Sequence, residues 1–276
     1  MARCEVCFRH CEIAEGKTGY CGARGLSSGK VVPLNYGKIT ALALDPIEKK
    51  PLARFHPGSM ILSAGSYGCN LNCPFCQNHD ISKPDKGLGV DELTPEELAD
   101  LAKRLSDRGN IGVAFTYNEP LIGYEFVRDT AKLVHDKGMK NVMVTNGHAN
   151  IPVAEELLPY IDAMNIDLKC FSDTTYKKIL GGDLDQVRAF ISRAVTDCHI
   201  ELTTLVVPGM NDTEEEMREL SSWIASLPSG QDIPLHISRF FPRYKMSDAK
   251  ATPVADVYRL AKIARDKLSF VYTGNC

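Results

Sequence analysis

The sequence predicts an α/β protein: a partial (β/α)6, TIM-like barrel behind a small N-terminal cysteine-rich extension. Three observations carry this reading. After residue 60, short apolar runs of strand length alternate with helix-start signals, the pattern of parallel βαβ units. Roughly 215 of the 276 residues follow that point, fewer than the about 250 that eight units take. The ten cysteines are uneven, with four of them in the first 21 residues.

Residues 1–30, rich in Cys, Gly and Arg, are too few to bury a core and read as a metal-stapled knuckle. Lys38-Ile39-Thr40-Ala41-Leu42-Ala43-Leu44 reads as a short strand. Asp45-Pro46-Ile47-Glu48-Lys49-Lys50-Pro51-Leu52 follows as a connector, which its two prolines keep from forming one long helix. The extension and linker thus span residues 1–58 and the barrel residues 59–276. Its six strands are expected at 60–64, 111–115, 141–144, 163–166, 199–206 and 234–238. A helix starts at Thr94-Pro95-Glu96-Glu97, with Thr as N-cap and Glu three residues on, and should run to about Arg108 before Gly109. A second helix ends near Lys137, Thr213 with Glu216 caps another, and a last one begins near Thr252-Pro253. Phe270-Val271-Tyr272 is a short final strand.

Apolar residues make up 44% and charged residues 24%, which excludes a disordered or collagen-like chain. Lys plus Arg number 32 against 35 Asp plus Glu, a balance that disfavours a dedicated nucleic-acid binder. Ten cysteines in 276 residues fall below the roughly 8–10% of a disulfide scaffold. No apolar leader follows Met1 and no run reaches the about 18 residues of a membrane span, so a cytoplasmic, reducing location is expected.

In such barrels, chemistry collects at the C-terminal ends of the strands. After the first strand stands Gly68-Cys69-Asn70-Leu71-Asn72-Cys73-Pro74-Phe75-Cys76, a C-x3-C-x2-C spacing. Three thiolates on one tight loop can ligate three irons of a [4Fe-4S] cube and leave the fourth iron open. A zinc reading needs a fourth ligand, for which His79 is near enough in sequence.

This loop resembles the signature of the radical S-adenosylmethionine (SAM) superfamily. The resemblance implies that Cys69, Cys73 and Cys76 hold a [4Fe-4S] cluster whose open iron is chelated by SAM. It further implies reductive cleavage to a 5′-deoxyadenosyl radical, with a reductant such as flavodoxin or ferredoxin. Phe75 would pack near the adenine, and a core aromatic is the alternative. Thr116-Tyr117-Asn118-Glu119-Pro120 stands where many members carry Gly-Gly-Glu-Pro, which implies SAM contacts for Asn118 and Glu119; a helix cap is the other reading of Glu119. Thr145-Asn146-Gly147-His148 and Asp167-Leu168-Lys169 are similar to stretches of pyruvate formate-lyase activating enzymes that face SAM. The resemblance thereby assigns Thr145, Asn146, Asp167 and Lys169 to the cofactor, with a surface ion pair as the alternative for the last two. His236 corresponds to a family histidine near the adenine, or is a satisfied core residue.

Over nearly the whole chain the match narrows. Cys4-x2-Cys7-x3-Cys11, Glu15-Gly16-Lys17-Thr18-Gly19-Tyr20-Cys21 and the 45–52 stretch resemble AmmeMemoRadiSam-system radical SAM enzymes, related to pyruvate formate-lyase activating enzyme. Cys4, Cys7, Cys11 and Cys21 make a second site, for zinc or an iron–sulfur cluster. Arg239-Phe240-Phe241-Pro242-Arg243-Tyr244-Lys245 should edge the mouth of the site. The expected activity is hydrogen abstraction from a substrate, possible substrates being a protein glycine, a protein side chain, a small molecule or, less favoured, a nucleic acid. A non-catalytic zinc or iron–sulfur protein is the alternative of another class.

Overall fold

The computed structural model describes residues 1–83 and 89–276. Eight strands form one sheet: β1 (Ala41–Pro46), β2 (Met60–Gly65), β3 (Asn110–Thr116), β4 (Lys140–Thr145), β5 (Ala163–Asp167), β6 (His199–Val206), β7 (Leu235–Arg239) and β8 (Val271–Gly274). They lie side by side in chain order. The strands β2 to β8 run parallel, and β1 is antiparallel to β2 at one edge. The longer crossover helices are α1 (Pro95–Arg104), α2 (Tyr124–Asp136), α3 (Ile151–Leu157), α4 (Leu184–Ala194), α5 (Glu214–Ala225) and α6 (Val254–Ala264). Six β/α units closed by a seventh parallel strand are the partial barrel that the sequence predicts. Among the described residues, no helix is long and apolar enough to cross a membrane.

Local chemistry sets the element ends. Thr94 Oγ1 accepts from the Glu97 N–H, and the Glu97 carboxylate accepts from the Thr94 N–H at 2.8 Å, a reciprocal cap that starts α1. The helix stops at Arg104; a 3-10 turn, Ser106–Arg108, carries the chain to Gly109, whose φ of +80° suits glycine. Leu62, Val113, Met143 and Met164 pack outward into the main core beneath the helices. Ile61, Ala114, Val142 and Ala163 alternate with them and face the lumen. Both faces of these strands are buried, which is why they read as continuous apolar runs.

The stretch expected as a linker is part of the barrel. Ala41–Pro46 pairs with Met60–Gly65, and the chain after it enters the lumen. Ile47 and Leu52 are fully buried there against Ile61, Ala114, Val142 and Ala163. Residues 1–58 therefore contribute an edge strand and a plug as well as the cysteine knuckle. The knuckle has two small antiparallel pairs, Ala2–Arg3 with Glu12–Ile13 and Arg24–Ser27 with Lys30–Pro33.

Candidate active site

The loop after β2 is held open in shape by backbone bonds to distant parts of the chain. Gly68 has φ +97°, and a Cβ there would lie 2.5 Å from Ala23 Cβ and 2.7 Å from Ile122 Cδ1, so only glycine fits. The Gly68 N–H donates to Ser82 O (2.6 Å), Cys69 N–H to Cys21 O (3.3 Å) and Asn72 N–H to Leu180 O (2.8 Å). Lys83 Nζ donates to Leu71 O at 2.9 Å. Cys69, Cys73 and Cys76 stand on this loop as free, half-buried thiols. Phe75 is buried in the main core, so its packing role is met.

His79, the candidate fourth zinc ligand, is occupied otherwise. Its Nδ1 faces Cys76 O at 3.2 Å, its ring stacks on Tyr244 at 4.4 Å, and its Nε2 lies 2.8 Å from Asp80 Oδ1. Lys245 N–H donates to Pro74 O at 3.0 Å. The basic-aromatic segment after β7 thus lies against the cysteine loop.

Glu119 is buried beneath this loop. Its Oε1 accepts from Thr145 Oγ1 (2.6 Å) and from the Leu121 N–H (3.0 Å), and its Oε2 from the Asn146 N–H (2.7 Å). The carboxylate caps the 3-10 turn Pro120–Gly123 and ties the end of β3 to the end of β4. Burial raises its pKa to about 7 despite these donors, with Asp167 adding to the rise. Asn118 Oδ1 accepts from the Ser66 N–H at 3.0 Å, bracing the start of the loop. Asn146 Nδ2 donates to Asn70 Oδ1 at 3.0 Å and lies 3.7 Å from Cys69 Sγ. Thr145, Asn146 and Glu119 are therefore a buried brace, and Asn146 is its member that reaches a cysteine.

Asp167 and Lys169 remain partly open at the end of β5, with Lys169 Nζ 2.7 Å from Asp167 Oδ2. Burial works against the Lys169 ammonium, but the charges of Asp167 and Cys73 outweigh it and hold its pKa above the usual lysine value. Burial raises the Cys73 thiol, with Lys169 opposing, and lifts Cys69 to about 12 with help from Glu119. A cation and a carboxylate at the end of β5 thus act on the Cys73 thiol.

His236 is hydrogen-bonded within the barrel, as its reading as a satisfied residue expects. It shares a register row with Asp167 and Thr203, and its Nε2 is 2.6 Å from Glu201 Oε2. Glu201 is fully buried and accepts from the Ala53 and Arg54 N–H groups at 2.9 and 2.8 Å. It binds His199 Nε2 at 3.0 Å as well. His236 is therefore a partner of the plug clamp.

The sequence reading missed the inner polar cluster. Asp45 Oδ2 accepts from Lys50 Nζ (2.9 Å), Tyr117 OH (2.8 Å) and Ser63 Oγ (3.1 Å), and Lys50 is nearly fully buried. Tyr117 adopts φ +73°, a left-handed conformation uncommon for a side chain of its size. The signal was in the chain: Asp45 and Lys50 stand in a two-proline stretch whose Ile47 and Leu52 are apolar.

The four N-terminal cysteines line one cavity with Arg9, Arg24 and Asn70. Cys170 is buried, Cys198 half-buried and Cys276 exposed.

Comparison with known proteins agrees with this geometry. The Radical SAM superfamily profile matches residues 64–221, from the end of β2 into α5. The chain belongs to the Radical SAM superfamily. It is 38% identical to uncharacterized protein MJ0808 of Methanocaldococcus jannaschii, over 99% of this chain and 81% of that one. It is homologous to pyruvate formate-lyase-activating enzymes: that of Clostridium pasteurianum is 30% identical over 61% of this chain and 71% of its own. Streptococcus suis SuiB bound to precursor peptide SuiA shares the fold, with a TM-score of 0.60 and 15% identity over 83% of this chain and 51% of that one.

Radical SAM membership implies a [4Fe-4S] cluster and SAM, and the donor set fits them. The three thiols stand free on one loop, available as ligands. Three sulfurs spaced for a cluster, beside an ammonium and a carboxylate, suit a cube with one iron left for the zwitterionic end of SAM.

Proposed function

We propose that the chain binds SAM over Cys69, Cys73 and Cys76 and uses its reductive cleavage to take hydrogen from a protein or peptide substrate, in the manner of glycyl-radical activation. The half-open Asp167–Lys169 pair beside the cysteine loop carries this reading. Lys169 is suited to the SAM carboxylate and Asp167 to the ribose hydroxyls. When bound, the cluster supplies the single electron that breaks the sulfonium bond. This chain's own residues do the rest. Asn146 fixes the Cys69 side chain, Glu119 locks the strand ends, and the segment 239–245 shields the loop from water.

Homology to pyruvate formate-lyase-activating enzymes supports a protein glycine as target, and the precursor peptide bound to SuiB supports a peptide-sized one. The knuckle and the 45–52 stretch favour the AmmeMemoRadiSam-system branch. A cytoplasmic setting supplies the flavodoxin- or ferredoxin-class reductant. Anaerobic reconstitution with dithionite and SAM should yield 5′-deoxyadenosine, and Cys73→Ala should reduce it to background. No product above that control would overturn the reading. Deuterium transfer into 5′-deoxyadenosine from labelled peptides, small molecules or RNA then separates the substrate classes.

A further inference from the structure

Cys4, Cys7, Cys11 and Cys21 lie outside the SAM site, and all four line one small cavity. Cys4, Cys7 and Cys21 are buried, though the segment around them has little core of its own. None forms a disulfide. A zinc ion would draw four sulfurs to about 2.3 Å from one point. The larger iron–sulfur centre takes the same four thiols, and the four cysteines line one void together with Asn70 of the Cys69 loop.

A second observation points into the same cavity. Arg24 is only 4% exposed and lines it. Its Nη1 binds Glu125 at 2.7 Å, but its buried Nε has no partner among the described residues. Arg9 also lines the cavity and donates Nε to Asn70 O at 2.8 Å. Two guanidinium groups around four thiols suit an anionic tetrathiolate centre, with Nε–H free to donate to sulfur.

The two cysteine sets are joined. The Cys21 carbonyl accepts the Cys69 N–H at 3.3 Å. Asn70 lines the four-cysteine cavity, and its Oδ1 accepts from Asn146, whose Nδ2 also reaches Cys69 Sγ. We infer that Cys4, Cys7, Cys11 and Cys21 ligate an auxiliary iron–sulfur cluster, coupled to the SAM site through the Cys21–Cys69 hydrogen bond. Such a centre takes one electron from a flavodoxin- or ferredoxin-class donor. It passes that electron to the Cys69 side and returns to its oxidised state. The relay rests on the proposed SAM cleavage, whereas the ligation does not.

The test is metal analysis of anaerobically purified and reconstituted protein. The Cys69→Ala/Cys73→Ala/Cys76→Ala variant should retain iron and sulfide in equal amounts and contain no zinc. Adding Cys7→Ser and Cys21→Ser should remove that iron. Zinc without iron in the triple variant, or no metal in a folded triple variant, overturns the inference. Should that variant fail to fold, zinc stoichiometric with the wild-type chain overturns it and its absence, with iron in excess of the Cys7→Ser/Cys21→Ser variant, supports it. The EPR spectrum of reduced wild type should differ from the sum of the two single-set variants by dipolar broadening; a simple sum overturns the coupling. Absence of 5′-deoxyadenosine would count against the proposed activity and leave the metal result standing.

Discussion

At the C-terminal ends of the strands the groups facing the lumen are free thiols and a half-open Asp167–Lys169 pair. Lower in the same lumen they are Glu201, Asp45 and Lys50, each buried and each held by protein partners. The upper groups have binding capacity to spare, while the lower groups have spent theirs on the 47–55 plug. A binding site needs unsatisfied ligands, and such groups add little to stability. A plug needs the opposite, since an unpaired buried charge destabilises strongly. The barrel therefore keeps its stability below and its chemistry above.

The comparison can be broken most forcefully at Leu52. It is fully buried in the lumen, and Leu52→Ala should cost about 3 kcal/mol of unfolding free energy with little change in the iron held by Cys69, Cys73 and Cys76. Denaturant unfolding with parallel iron assay checks this; equal loss of both would merge the two regions. Next comes Glu201. Burial raises its pKa, but His199, His236 and the Ala53 and Arg54 N–H groups outweigh it and hold the value at about 2 against 4.5 for the free group. A depressed acid stabilises the fold above its unfolded pKa and loses that contribution as pH falls through about 2. The contribution is at most about 3 kcal/mol, and Glu201→Gln should flatten this acid limb in unfolding curves between pH 4.5 and 2.

At the upper end, Gly68→Ala should cost about 2 kcal/mol through backbone strain. The Ala23 contact should also give way, and iron binding at the Cys69 loop should fall. Unchanged iron and stability would mean that the loop does not depend on its docking to the knuckle. The smallest effect is expected from Lys169→Met. It should weaken SAM binding about tenfold, or about 1.4 kcal/mol, with iron content unchanged. Isothermal titration of the reconstituted protein reads it, and unaltered affinity would remove Lys169 from the site.

How much the sequence reveals follows the same division. The upper site was legible because its residues sit one after another behind each strand: Cys69 to Cys76, Thr145-Asn146, Asp167-x-Lys169. Periodicity located all six units, and the Thr94–Glu97 cap was readable from four letters. The lower clamp was not legible, because it joins Glu201 to a backbone nearly 150 residues earlier. Glu201 lies in a strand whose apolar neighbours hide it, and the two readings of His236 could not be separated because its acid partner is two elements away. Glu119 showed both its readings in the sequence; only the positions of Thr145 and the Asn146 N–H reveal that its carboxylate is already engaged.

The docking of Arg9 onto the backbone of Gly181 has a consequence for biosynthesis. The two residues are 172 positions apart, so at about 5–20 residues per second the ribosome needs roughly 10–30 s to deliver the second after the first. Through that interval the knuckle lacks this part of its docking surface, though its own strand pairs and the Cys69 loop are already made. Oxygen or stray metal reaches its thiols more readily then than at any later time. Yield of correctly loaded protein should therefore depend on translation speed and oxygen tension during expression, even where the purified fold is stable.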